Sequence, residues 1–186
     1  MDHEQELKAI LFQNELLSSI LEKASTLDLP DWYLGAGAIA QTVWNYKNGF
    51  DLSHGITDYD LVYFDTDITE EKQNQYVRKA KELFGGLRVD IVNEARVHLW
   101  YRKQFGTDIA PYTSTESAID TWPTTATSIG IKKTADGTVN IYAPFGLHDL
   151  FSLTIRANKN LISKAIYQQK VEKWLKVWPN LNVIPW

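Results

Sequence analysis

Asp58-Tyr59-Asp60-Leu61-Val62-Tyr63-Phe64-Asp65 is the stretch on which the reading of this chain turns. Its aromatic and β-branched residues predict a strand. After Asp60 both side-chain parities are apolar, so the far half should be covered on both faces. Side chains in a strand repeat every two residues, which places the Asp58 and Asp60 carboxylates on one side. Further on, Leu87-Arg88-Val89-Asp90-Ile91-Val92 predicts a second strand, with Asp90 between two apolar neighbours where a carboxylate is costly to bury. If the two strands are neighbours, Asp90 joins the first pair. Three carboxylates in one small volume repel each other and call for a cation. Hard oxygen ligands with no His or Cys beside them favour Mg2+ or Mn2+ over zinc. An Asp-x-Asp at a strand entrance can also merely cap a turn, and it is Asp90 that tips the balance toward a site.

Working outward, Trp32-Tyr33-Leu34 predicts a short strand that runs into Gly35-Ala36-Gly37 and then a helix carrying Ile39, Val43 and Trp44. Glycines at such a turn let backbone approach a ligand closely, and free amides at a helix start favour an anion. The run is no dinucleotide fingerprint, since position 40 is Ala, and no Gly-Lys-Ser/Thr follows to make a phosphate loop. A loop is expected over 47–57, with Gly49 and Gly55 as breakers. Asp67 or Thr69 should cap the next helix, whose inner face is Tyr76, Val77, Ala80 and Phe84 and which Gly85-Gly86 end. Before these elements, 4–26 reads as one amphipathic helix through Leu7, Ile10, Leu11, Leu17, Ile20, Leu21 and Ala24. After them come short helices at 94–104 and 115–121, and a hairpin of 127–133 with 138–143 about Ala135-Asp136-Gly137. Helices at 147–156 and 159–177 complete the expectation, with Trp174 and Trp178 forming a core-facing stripe. No repeat or linker interrupts the chain, so one domain over 1–186 is expected, its core at about 30–145.

Composition narrows the classes. A chain of 186 residues with 44% apolar and 23% charged residues can bury a core without staples, which excludes a disordered chain or a fibrous rod. The absence of Cys excludes disulfide scaffolds, zinc fingers and thiol catalysis. Seven Trp suggest a well-filled core or a stacking surface. Nineteen basic against 23 acidic residues give a net charge of −4, so no overall basic field is available and nucleic acid is an unlikely partner. The acidic start, with no long apolar run after it, predicts a cytoplasmic protein with no membrane segment. Charge is uneven, however: six bases lie in 156–176 against Glu172 alone. That run is either an ordinary solvated helix face or a local wall for a phosphate-bearing ligand. Arg156 is its best-placed member for a triphosphate, unless a salt bridge uses it. His98 and Arg96 could face a pocket or simply support one. Trp122 could stack on a base or fill core.

In order, then, the chain has a strand, a glycine turn and a helix, a strand with Asp-x-Asp, and a strand with a lone Asp. This order resembles the nucleotidyltransferase superfamily typified by DNA polymerase beta. The matching residues are Leu34-Gly35-Ala36, Asp58-Tyr59-Asp60 and Val89-Asp90-Ile91. More narrowly, the chain is similar to a bacterial family of small predicted nucleotidyltransferases, a likeness carried by 58–65, 88–101, 117–131 and 141–150 and spanning about 32–156. The resemblance implies an α+β, polymerase beta-like fold, a small mixed sheet with helices packed on one side. It implies a metal-dependent transfer of a nucleoside monophosphate from an NTP to a hydroxyl of a small molecule or protein, releasing pyrophosphate. Asp58, Asp60 and Asp90 would be catalytic and would hold two divalent ions, and Gly35, Ala36 and Gly37, with Arg156, would bind the nucleotide. Two departures stand out. Ala36 occupies a place where the superfamily usually has Ser or Gly, and Gly35 and Asp58 are 23 positions apart, longer than is common. They leave open an alternative, a non-catalytic nucleotide- or metal-binding regulator on the same fold.

Overall fold

A computed structural model describes residues 2–134 and 136–186. The chain opens with α1 (His3–Leu11) and α2 (Glu15–Ala24), where one continuous helix was expected. Asn14 makes the break. Its side chain accepts from the Leu17 N–H as an N-cap, and its amide donates to Thr42 Oγ1 (3.1 Å) and the Leu52 carbonyl (3.2 Å). Buried to 2% exposure, it satisfies the start of α2 and ties it to the elements beneath. The apolar period carries on across the break, which is why periodicity alone reads it as one helix.

The centre of the molecule is assembled next. Strand β1 (Tyr33–Gly35) leads into α3 (Gly37–Asn48), and β2 (Tyr59–Tyr63) leads through α4 (Glu70–Phe84) to β3 (Val89–Asn93). Thr69 caps α4, and Gly85, at φ +60°, ends it. Tyr76, Ala80 and Phe84 are its inner face, but Val77 points outward, 38% exposed, because it lies one position off their four-residue stripe. A single 3₁₀ turn at Glu94–Arg96 joins β3 to α5 (Val97–Phe105), followed by α6 (Thr115–Ile119) and the hairpin of β4 (Gly130–Lys133) with β5 (Val139–Tyr142). The hairpin turn includes Ala135, which lies outside the described residues.

The C-terminal region departs most from expectation. In place of a helix over 147–156 there is one turn, α7 (His148–Phe151), and then β6 (Thr154–Ile155). Leu153 takes φ +55°, which cannot continue a helix, and β6 pairs in parallel with β7 (Asn182–Val183) at the far end of the chain. Between them, α8 (Lys164–Leu175) starts at its cap Ser163, so 159–163 stay outside it. Trp44 receives Trp174 and Trp178 edge-on at centroid distances of 5.5 and 5.3 Å, and Trp178 Nε1 donates to Asn45 Oδ1 at 2.7 Å. Both rings face the core as expected, although α8 ends at Leu175 and Trp178 follows on the turn after it, and the contacts dock this segment on α3.

The main sheet has the order β3-β2-β1-β4-β5. Only β2 and β3 run parallel; the other neighbouring pairs are antiparallel, which makes the sheet mixed. The helical connection α4 is what permits the parallel pair. Register puts Ile91, Leu61, Leu34, Ile131 and Ile141 in one row across the sheet. That row faces a core that extends from Leu7 to Leu181 and includes the inner sides of α1, α2, α3 and α4. The α+β class and the mixed sheet agree with the expectation. The opposite face is not bare, however. Tyr33, Val62 and Ile119 form a second, smaller cluster there, with Val92, Trp122 and Tyr142 packed against it. Among the described residues no helix is long and apolar enough to cross a membrane.

Candidate functional site

One residue along each strand from the apolar row lies a second row: Asp90, Asp60, Gly35, Gly130 and Tyr142. The site is built on it. Asp60 and Asp90 are direct partners in the parallel pair β2–β3, so their carboxylates leave the sheet side by side. Asp58 precedes β2 by one residue. A single nitrogen of the Arg88 guanidinium lies 3.5 Å from Asp90 Oδ2 and 3.9 Å from Asp58 Oδ2, so both are within reach of one positive centre. Thr57 Oγ1 donates to the other Asp58 oxygen at 3.2 Å. Asp60 lies deepest of the three and accepts no hydrogen bond from the described residues. Burial, then the charges of Asp58 and Asp90, push its pKa up to about 6, against the opposing pull of Lys170 and Arg88.

Gly35 is the last residue of β1 and the partner of Asp60. A Cβ there would lie 2.3 Å from Trp122 Cη2, so the absence of a side chain is what admits the indole. Ala36 follows at φ +54°, ψ −122°, a backbone conformation natural to glycine and strained for alanine. Its N–H donates to the Ile129 carbonyl at 2.9 Å, and its carbonyl accepts the Ala40 N–H. No side chain caps α3. The first amides of α3, beginning at Gly37, follow directly on Ala36 without a side-chain cap, and a helix start favours an anion.

That cavity, about 370 Å³, has Ala36 and Asp60 in its wall. Two further polar groups that the sequence analysis did not single out belong to it. Lys170 reaches it from α8, with its pKa lowered by burial while the charges of Asp60 and Asp58 act to hold the proton on. Glu94, 5% exposed, enters from the 3₁₀ turn after β3. Lys170 belongs to the basic run already noticed, and its spacing from Ile166 and Trp174 puts it on the inner edge of α8. Nothing in the sequence marked Glu94, which reads as an ordinary helix-start acid.

Arg156 makes the salt bridge that was the alternative to a place at the triphosphate. Its Nε donates to Asp149 Oδ2 at 2.9 Å, the oxygen that also accepts from Thr125 Oγ1 at 2.6 Å, and it does not line the cavity. Arg96 is spent on the Ile68 carbonyl. His98 is absent from the cavity wall, and its Nδ1 is buried without a partner.

A family model described as nucleotidyltransferase matches residues 22–183. The chain belongs to this nucleotidyltransferase family. Among solved structures, one whose NMR structure is described as revealing a CCA-adding enzyme head domain is 26% identical, with a TM-score of 0.81, covering 98% of this chain and 96% of that one. The Thermotoga maritima CCA-adding enzyme, described in complex with tRNA_CCA, shares the fold at 15% identity and a TM-score of 0.51, with 91% of this chain matching 39% of that one. A comparison with curated proteins finds no match. The polymerase beta-like fold inferred from the acidic motif is thus the fold of this family member. The enzyme class follows with it, as does an NTP as substrate. The comparisons lend no support to setting nucleic acid aside as a partner.

Nucleotidyltransferases generally use divalent metals, and the residues here fit one. Asp60 is a partly buried carboxylate to which no described residue donates, raised in pKa by burial and then by two neighbouring carboxylates, and Arg88 lies where positive charge is wanted. All the donors are hard oxygens. Among the described residues no three acids or imidazoles already stand as a closed metal cage. The present conformers of Asp58 and Asp90 turn to Arg88.

Proposed function

We propose that this nucleotidyltransferase moves a nucleoside monophosphate from an NTP to a hydroxyl of a small molecule or a protein. The observation that carries the reading is the row Asp90–Asp60–Gly35, which brings paired carboxylates and the glycine turn to one face of the sheet beside a cavity. Asp58, Asp60 and Asp90 would hold Mg2+ or Mn2+, which when bound supplies positive charge to the transferring phosphate and acidifies an acceptor hydroxyl. The chain's own groups do the rest. The amides at the start of α3, from Gly37, face the non-transferred phosphates. Lys170 brings a positive charge toward the same space from the opposite wall. An oxygen of Asp90 takes the proton of the acceptor hydroxyl. The acceptor oxygen then forms its bond to the α-phosphorus as the bond from that phosphorus to the bridging oxygen breaks, and pyrophosphate leaves with the electron pair. The acceptor is placed among small molecules and proteins because a net charge of −4 provides no general field for a polyanion. The tRNA in the neighbour's description is a property of that protein.

Thermal unfolding with each NTP, with and without magnesium, tests the reading. A ligand that binds only the folded chain raises the midpoint with its occupancy. A magnesium-dependent rise with at least one NTP is expected in the wild type and not in Asp60→Asn. The same pair should differ in pyrophosphate release. No rise with any nucleotide in the wild type would overturn the proposal.

A further inference from the structure

The cavity beside Asp60 has more in its wall than carboxylates. Five aromatic residues, Trp100, Tyr101, Phe105, Tyr112 and Trp122, stand in its wall, and a second acid, Glu94, shares it with them. The turn that carries Glu94 is firmly held. Asn93 Oδ1 accepts from the Ala95 and Asp65 N–H groups (both 3.1 Å), Asn93 Nδ2 donates to the Asp65 carbonyl (3.0 Å), and the Glu94 carbonyl accepts the Val97 N–H. The backbone is therefore satisfied and fixed. The carboxyl is not, since no described residue donates to it. The residue is only 5% exposed, and an acid so placed with no donor costs the fold more than it returns. Burial and the charge of Asp60 raise its pKa to about 8, so it faces the cavity largely as the neutral acid, able to donate as well as accept. Tyr112, the neighbouring hydroxyl, is already engaged with Thr121 Oγ1 at 2.7 Å. Glu94 is thus a polar group held in reserve beside the aromatic faces of the cavity.

We infer that Glu94 reads the base of the donor nucleotide, hydrogen-bonding its polar edge while the aromatic walls pack on its faces. The inference rests on the nucleotidyl-transfer reading, because it takes the ligand's phosphates to lie at Asp60. Given that anchor, only one part of an NTP suits the aromatic wall and Glu94. A phosphate calls for cations and several donors, which aromatic faces and one neutral carboxyl do not supply, and a ribose lacks flat faces. A base has two apolar faces for the aromatic rings and a rim of donors and acceptors for one carboxyl. A site built around such a group discriminates by leaving it unpaired when the wrong edge is presented.

The test measures binding of ATP, CTP, GTP, UTP and base-free tripolyphosphate, all with magnesium, to the full chain carrying Glu94, Glu94→Gln or Glu94→Leu. In the wild type at least one NTP should bind about tenfold or more tighter than tripolyphosphate, with unequal affinities among the four. Glu94→Leu should compress that spread to within about threefold and leave tripolyphosphate unchanged. Glu94→Gln keeps the size of the side chain and should alter the ranking; it decides the matter if the leucine variant fails to fold. An unchanged ranking in the folded variants would overturn the base-reading role alone. So would wild-type binding of tripolyphosphate as tight as any nucleotide. Failure of the wild type to bind any NTP would overturn the transfer reading beneath it.

Discussion

Two adjacent rows cross the same sheet one residue apart, and they have opposite chemistry. In the first, Ile91, Leu61, Leu34 and Ile131 are at most 7% exposed and pack into the main core. In the second, Asp90, Asp60, Gly35 and Gly130 offer two carboxylates and two missing side chains. Burial drives the first row, because every apolar side chain there is removed from water at about 25 cal/mol per Å². No comparable gain exists for the second. Its acids repel, and its glycines make room for the side chains of Trp122 and Tyr33. The difference teaches that the sheet is held by one face and is available for chemistry on the other. Because side chains alternate, the register that buries Leu61 necessarily presents Asp60.

Substitutions in the second row can break that comparison. Gly35→Ala should have the largest effect, since its Cβ would stand 2.3 Å from the Trp122 ring. A loss of roughly 3 kcal/mol is expected in chemical denaturation, from forcing the indole out of its seat. If the variant is as stable as the wild type, Trp122 is mobile and the face is looser than described. Asp60→Asn should act in the other direction. The folded pKa of Asp60 is raised from 3.8 to about 6, so the folded state holds its proton to higher pH than the unfolded chain does. Wild-type stability therefore falls as pH rises from about 4 through about 6. The neutral variant escapes this cost, and without metal it should be more stable by roughly 1–2 kcal/mol at pH 8 and no more stable at pH 4. Equal stabilities at both pH values would mean that the second row carries no electrostatic strain. The smallest effect is expected for Ala36→Gly, which relieves the φ +54° conformation and should gain about 1 kcal/mol or less at the denaturation midpoint. A loss of stability there would show that the Ala36 methyl contributes packing that outweighs its strain.

Much of this was legible before any coordinates. The strand calling for both faces to be covered, the glycine turn and the strand positions of Asp60 and Asp90 are as expected, with Asp58 one residue before β2, because period-two alternation and the cost of a mid-strand acid are local signals. The N-terminal helix was read through its break because Asn14 is a polar residue whose partners, Thr42 and Leu52, lie far along the chain. Residues 147–156 misled for a related reason: β6 exists only through pairing with β7, nearly thirty positions later. Arg156 pairs with Asp149, whereas Lys170 lines the cavity. Both are bases in one run, and only the position of Asp149 tells which is already engaged.

The amino-acid order was sufficient for the class of fold, the acidic motif and the kind of ion it suits, since each follows from residue type and spacing along one strand or turn. Tertiary structure alone made Asp90 the neighbour of Asp60, seated Trp122 on Gly35, and closed Glu94 and Lys170 into the same cavity. Those relations join segments far apart in the chain, and a side chain's burial, partners and pKa depend on what the rest of the chain folds against it.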